Sequence, residues 1–269
     1  MKMHVAAVQL QAVWGDKTHN LQTVERIAAE AAQSGVNFLV LPELWNSGYD
    51  TRYSSQLPEQ AEDLNGASVS FLKDLARRYK LSIGGGSLVE ARHGKLYNTS
   101  LFIDPKGEIL AKYRKTHLFG EEKDFFSPGD EWTIVSDEQN FADFSIGMAI
   151  CYDLRFPELF RNMALRGCRM FTLPVAWPIS RREEYVVMSR VRAIENRALL
   201  VSANLIAADG SLCGSSMVIS PVGRILASCQ MEEGYAAAVI ETEEVFDPNK
   251  FNSINDRRQF LDEIDDNLL

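Results

Sequence analysis

Hydrophobic residues along the chain fall into two alternating kinds of spacing. "HVAAVQLQA" (4–12) alternates as a strand does, and "DKTHNLQTVERIAAEAAQSG" follows with apolar residues at Leu21, Val24, Ile27, Ala28 and Ala31. That is the spacing of one helix face, with Thr18 as the candidate N-cap and Gly35 as the stop. "VNFLVLPEL" (36–44) reads as a buried strand and residues 66–80 as a second helix. "LSIGGGSLVE", "LYNTSLFID" and "EILAKYRK" then form a meander turning at His93-Gly94 and at Pro105-Lys106-Gly107. The glycine run 84–86 continues a strand rather than opening a helix, so it predicts close backbone packing and not a phosphate loop. After a long loop come the strand "FADFSIGMAI", the helix "PELFRNMALRG", the strand "RMFTLPVAW" and the helix "RREEYVVMSRVRAIENRA". Strands "LLVSANLIA", "CGSSMVISP", "RILASC" and "GYAAAVIE" follow, then an acidic tail.

The pattern occurs twice. "GVNFLVLPELW" (35–45) matches "GCRMFTLPVAW" (167–177), and "TSLFIDPKGEILA" (99–111) matches "SSMVISPVGRILA" (215–227). Two copies are too few for a solenoid. They predict one α/β domain over 1–269 with two pseudo-symmetric halves, each a sheet covered by helices on one face. Packed sheet to sheet, the halves form a four-layer α-β-β-α sandwich. No linker composition separates them. The segment from about 243 to 269 is expected to be extended or at an oligomer interface.

Composition narrows the function. With 269 residues and 46% of them hydrophobic, a sizeable core is available. A net charge of −9 argues against a nucleic-acid or anionic-membrane partner, and no stretch approaches a membrane span. Four scattered cysteines fit free thiols in a cytoplasmic protein, and the four histidines show no zinc spacing.

The candidate chemistry lies at strand ends. In "SIGMAICYDLRFPELF" (145–160), Cys151 stands where a strand gives way to a helix with Pro157 in its first turn. Read alone, it is either a small hydrophobe finishing a strand or a nucleophile at its tip, its thiolate favoured by the helix N-terminus. The two repeats diverge at a telling place: Leu41-Pro42-Glu43 in the first is Leu173-Pro174-Val175 in the second. An apolar residue suffices there for folding, so Glu43 is a candidate base, desolvated behind an apolar strand. Of Lys112, Arg114 and Lys115, alternation lets either Arg114 or Lys115 point inward, not both. A cysteine, a glutamate and a lysine at separate strand ends can perform covalent acyl transfer without a histidine. A binding protein would not need all three, and a thiol redox protein would want a closer resolving cysteine than Cys168.

"LPELWNSGY", "YRKTHLF" and "GMAICYDLRFPEL", in this order, closely resemble the nitrilase superfamily of carbon–nitrogen hydrolases, and the likeness runs over nearly the whole chain. The resemblance implies the sandwich fold, a homodimer or larger assembly, and no metal or organic cofactor. It places the catalytic glutamate, lysine and cysteine on Glu43, Lys115 and Cys151. The family's second glutamate falls on Glu122, with Glu121 adjoining it as the alternative. Tyr152 would supply a backbone oxyanion donor. "CYDLRFPEL" is more like the ω-amidase and deaminated-glutathione-amidase branches than the true nitrilases, which implies a small linear amide, with an N-carbamoyl or other small substrate as the alternative. Arg155 is either a grip for a substrate carboxylate or a structural partner of Asp153 or Glu158. Trp177 is a candidate pocket wall, Glu195 a structural partner for an arginine, and "VAWPISRREE" (175–184) departs from the ω-amidase pattern.

Overall fold

The first strand, β1 (Lys2–Leu10), is buried on both faces. Met3, Val5 and Ala7 enter one core, and Ala6, Val8 and Leu10 enter another. The computed structural model describes residues 2–136, 144–245 and 254. The tail expected to be extended or at an interface lies outside the described residues from 246 on, apart from Ile254, as does the start of "FADFSIGMAI".

In the first half, α1 (Lys17–Gln33) and α2 (Ala67–Tyr79) lie over β2 (Phe38–Val40), β3 (Ser82–Gly84), β4 (Leu88–Arg92), β5 (Lys95–Ile103) and β6 (Ile109–Arg114). Val24, Ile27, Ala28 and Ala31 of α1 pack with Leu39, Ile83, Leu101 and Ile103 of the sheet. The N-cap is Asp16, whose carboxylate accepts from the His19 N–H at 2.9 Å, and not Thr18. Aspartate is as good a cap, and here it sits at the turn left by Gly15. A 3₁₀ segment, Thr51–Gln60, broken at Tyr53, leads from the loop after β2 toward α2.

The second half repeats the plan. After α3 (Glu122–Phe125) and β7 (Thr133–Val135) come β8 (Ser145–Met148), the 3₁₀ turn Cys151–Arg155, α4 (Pro157–Leu165) and β9 (Cys168–Val175). Then follow α5 (Arg182–Asn196), β10 (Leu199–Leu205), β11 (Met217–Ile219), β12 (Ile225–Ser228), β13 (Gly234–Glu241) and α6 (Thr242–Val245). Gly147 faces α4: a Cβ there would come within 2.8 Å of the Met163 sulfur and 2.7 Å of the Phe171 ring.

The strand order is β4-β5-β3-β2-β1-β10-β9-β8-β7, with β6 on β5, β13 on β1, and β11 then β12 on β10. The two expected sheets are thus the halves of one hydrogen-bonded path, joined where Gln9 and Leu10 meet Asn204 and Leu205. They still face each other, since a Cβ on Gly84 of β3 would touch Thr172 of β9 at 3.3 Å. Phe38, Val40 and Phe102 share that inner layer with Ile146, Met148 and Met170. Pseudo-symmetry reaches fine detail. The β5–β6 pairing shifts register between Phe102 and Ile103, and the β11–β12 pairing between Val218 and Ile219, the matched positions of the repeat.

The glycine run breaks "LSIGGGSLVE" into β3 and β4. Gly86 has φ +63°, and a Cβ there would lie 2.2 Å from the Pro42 carbonyl oxygen and 2.6 Å from the Trp45 ring. Glycine is required so that this strand can turn against the Leu41-Pro42-Glu43 segment.

Candidate active site

Glu43, Lys115 and Cys151 leave β2, β6 and β8 at neighbouring strand ends and converge in one cavity of about 250 Å³. Glu43 sits on the pseudo-symmetry axis. Its backbone N–H reaches the carbonyl of its own repeat mate, Val175, at 3.4 Å, and its Oε2 accepts the Ala176 N–H at 3.1 Å. The side chain is 1% exposed.

Lys115 follows β6 with its backbone N–H on the Asn98 carbonyl at 2.9 Å. Its ammonium donates to Glu43 Oε1 at 2.8 Å and to Glu122 Oε1 at 2.9 Å. Alternation sends its neighbour Arg114 the other way, onto buried Glu90 at 2.7 and 2.8 Å and over the Tyr97 ring. Glu122 is 4% exposed, and its other oxygen accepts the Phe119 N–H at 2.8 Å, whereas Glu121 is exposed. Of the two adjoining acids, Glu122 is therefore the one on the lysine. Burial works to lower the Lys115 pKa, but Glu122 and Glu43 outweigh it and hold the group well above the ordinary lysine value. Burial raises Glu122 above the ordinary glutamate value, against the pull of Lys115.

Cys151 occupies a strained elbow with φ +45°. Asp153 holds it there, accepting the Ile150 N–H at 2.8 Å, the Tyr113 hydroxyl at 2.7 Å and the His117 backbone N–H at 3.1 Å. The His117 ring is stacked on Phe156 at 3.6 Å. One buried carboxylate thereby ties the cysteine's strand tip to the residues flanking Lys115. The expectation of a helix-favoured thiolate is corrected: a 3₁₀ turn follows Cys151, and α4 begins only at Pro157. Burial and the Glu43 charge push the thiol well above its ordinary pKa, with Lys115 opposing, so at rest the proton is on sulfur.

Tyr152, Arg155 and Trp177 line the same cavity, with Tyr49 and Phe119. Arg155 pairs with neither Asp153 nor Glu158. Its guanidinium donates to Glu184 at 2.6 Å and lies 5.3 Å from the Trp177 ring centroid. Trp177 also packs, stacking on Tyr185 and donating its indole N–H to the Arg181 carbonyl at 2.9 Å. Its repeat mate Trp45 does likewise toward Gly85 at 2.9 Å. Glu195 pairs with Arg192 at 2.9 Å as a structural partner.

Sequence reasoning did not single out Tyr49, Asn98 or Glu184, nor Asp153 as the elbow's anchor. Asn98 donates to Glu43 Oε1 at 2.9 Å. A signal for it existed: Asn98-Thr99-Ser100 is an unbroken polar run inside β5, and all three are buried. Buried polar runs in strands mark places where something must be hydrogen-bonded.

The family described as carbon-nitrogen hydrolase matches residues 4–245. Among curated relatives, the 2-oxoglutaramate amidase of Bacillus subtilis (strain 168) is 32% identical over 248 residues, covering 91% of this chain and 93% of that protein. Omega-amidase NIT2 of Mus musculus is 34% identical over 242 residues, covering 85% of each. Among solved structures, an amidase from Nesterenkonia sp. superposes with a TM-score of 0.81 at 28% identity, covering 96% of this chain and 94% of that one. A Saccharomyces cerevisiae member of branch 10 of the nitrilase superfamily reaches 0.82 at 28% identity, covering 100% and 97%. The family match, the amidase relatives and the shared fold together make this chain a member of the carbon–nitrogen hydrolase family, in the nitrilase superfamily, and a hydrolase acting on amides.

Proposed function

We propose that the protein cleaves a small linear amide bearing a carboxylate, releasing the acid and ammonia through a thioester on Cys151. The convergence of buried Glu43 and Lys115 on the Cys151 thiol carries this reading. Glu43 takes the thiol proton as sulfur attacks the amide carbonyl carbon. Lys115 has given two of its three N–H donors to Glu43 and Glu122, leaving one for the developing oxyanion beside the Tyr152 backbone N–H. The C–N bond then breaks as Glu43 returns the proton to the departing nitrogen. Water adds to the thioester, giving its proton to Glu43, and the C–S bond breaks as that proton goes back to sulfur. Glu122 positions the lysine. Each step balances without a metal or organic cofactor.

Arg155 supports the carboxylate preference, being a guanidinium in the wall of the cavity. A second reading has its own observation: Glu184 already neutralises Arg155, which favours neutral amides. A variant of the Nesterenkonia amidase has been solved in complex with butyramide. Ammonia release from succinamate, a carboxylate-bearing amide, and from butyramide decides between them. Faster turnover of butyramide removes the carboxylate reading. Loss of all release after thiol alkylation, with an acyl mass on Cys151 before it, supports the thioester, and release that survives alkylation refutes it.

The chain is further read as a single catalytic domain, working in the cytoplasm with free thiols and as a homodimer or larger assembly. Val187, Val191 and Ile194 form an exposed apolar stripe along α5, continued by Val222, Ile225 and Leu226 of the β11–β12 hairpin. Such a patch on a folded surface is more extensive than solvent-facing residues require. No helix among the described residues is long and apolar enough to cross a membrane.

A further inference from the structure

We propose that the cavity beside the catalytic one is a second substrate subsite, which takes an uncharged apolar tail on the acyl chain of the amide. This rests on the reading of the Cys151 cavity as the active site, and because ammonia is the leaving group in that reading, the tail belongs to the acyl side. The outer cavity measures about 420 Å³, against about 250 Å³ for the catalytic one. Tyr49, Asp50, Arg52, Asp209, Ser211 and Leu212 line both, so the two meet along a common wall. Beyond it, the outer cavity is bounded by the segment after β1, by Tyr53 and by the segment after β10. Trp14 and Tyr53 stack there, with ring centroids 5.6 Å apart and planes 16° from parallel. Val13 and Tyr53 are 43% and 37% exposed, large apolar side chains that the core does not take up. Arg155 lines the catalytic cavity and not the outer one, so the tail and the Arg155 contact are separate questions.

The aromatic side of this cavity is held from behind. Asn20 of α1 brackets Val13, accepting its N–H at 2.8 Å and donating to its carbonyl at 2.8 Å, and it also donates to the Asn46 carbonyl at 3.0 Å. Gly48 has φ +79°, and a Cβ there would lie 3.1 Å from the Trp14 backbone. A fixed aromatic pair opening beside a reaction cavity suits an apolar ligand group. The charges at the common wall decide which kind. Arg52 donates to Asp50 at 2.6 and 2.9 Å and lies 3.6 Å from Asp209. A carboxylate on the tail would face two aspartates, and an ammonium would face the guanidinium. An uncharged tail meets neither penalty. The Arg52 side chain is 67% exposed, and surface ion pairs hold weakly, so it can swing aside as the tail passes.

The test measures binding to the Cys151→Ala variant by calorimetry, which needs no turnover. The probes are butyramide, 4-phenylbutyramide, 6-phenylhexanamide and 6-aminohexanamide. At least one phenyl amide should bind roughly 10- to 100-fold more tightly than butyramide, the gain from burying an aromatic group, and 6-aminohexanamide should show no such gain. Trp14→Ala and Val13→Asp, each in the same background, should erase most of the gain and leave butyramide within about twofold. Val13→Asp keeps the Trp14 packing, so it decides alone if Trp14→Ala does not fold. Phenyl amides that bind no better than butyramide, or a gain that survives both variants, overturn the proposal. An equal gain for 6-aminohexanamide overturns the uncharged tail. A loss shared equally by butyramide makes the wall a support of the catalytic cavity, and a change of sedimentation in Val13→Asp without any phenyl gain makes it an interface between copies; either removes the subsite. Ammonia release by the wild type keeps the two ideas apart. If the phenyl gain is present and no amide in the series is hydrolysed, the subsite stands and the proposed function fails.

Discussion

At the scale of single residues, the site is a buried charge balance in which one lysine is shared by two carboxylates beside a neutral thiol. Cys151→Ala should abolish ammonia release from any amide substrate while leaving the melting temperature within a few degrees, because the proposed nucleophile is lost and alanine fits its space. With Glu43 as the proposed base and Lys115 as the proposed oxyanion donor, Glu43→Gln and Lys115→Ala should each lower kcat by roughly 10² or more. Glu122 makes a separate prediction about pH. Burial raises its folded pKa above the ordinary 4.5, so the folded chain holds this proton more tightly than the unfolded one. Its contribution to stability is then full below pH 4.5 and is lost as pH rises through the folded value. Thermal melts from acid to neutral pH should show wild type losing stability relative to Glu122→Gln as pH rises. Parallel curves would refute it. Glu43, Lys115 and Cys151 were legible because strand ends and a broken repeat expose odd residues. For Asn98 the polar run in β5 gave a signal but not a partner, since its contact with Glu43 spans 55 residues of chain.

At the scale of elements, the elbow after β8 depends on a partner in another loop. Asp153 accepts from Ile150, Tyr113 and His117, so it fixes the cysteine relative to the lysine as well as the turn itself. Asp153→Asn should cost about 3 kcal/mol of stability and lower kcat at least tenfold, because one acceptor becomes a donor facing N–H and O–H groups. Tyr113→Phe removes a single donor and should cost only about 1 kcal/mol, measured by denaturant unfolding. The turn at Gly86 makes a harsher demand. With φ +63° and 2.2 Å to the Pro42 oxygen, Gly86→Ala should destabilise by roughly 2–4 kcal/mol. Periodicity located α1, α2, α4, α5 and both hairpins. It did not locate β7, three residues long within a loop, or the break between β3 and β4, because these depend on what the backbone meets in space.

At the scale of the whole molecule, two copies of one βα plan close on each other and diverge where they meet. Glu43 and Val175, matched in the repeat, touch through the backbone on the axis, so one copy supplies the carboxylate and the other supplies the N–H of Ala176 that holds it. Substrate choice also belongs to this scale, because Arg155 follows the elbow while Glu184 comes from α5. The arginine side chain is 26% exposed and its partner 48%, so solvent screens the contact. Arg155→Ala should therefore lower kcat/KM for succinamate by about tenfold while sparing butyramide. Equal losses on both would make Arg155 a support of the elbow. Sedimentation should show a species heavier than the 30.2 kDa chain, and Val191→Glu should shift it toward the monomer. What the amino-acid sequence by itself determined is the local part: helix faces, strand alternation, turns, the doubled plan, and which residues carry reactive groups at strand ends. These follow from short-range periodicity and from the chemistry of single side chains. Only the tertiary structure decided that Glu122 and not Glu121 meets Lys115, that Arg155 pairs with Glu184, and that Asp153 and Asn98 brace the site. Each of those outcomes depends on which distant atoms are brought within about 3 Å, the range over which a hydrogen bond acts.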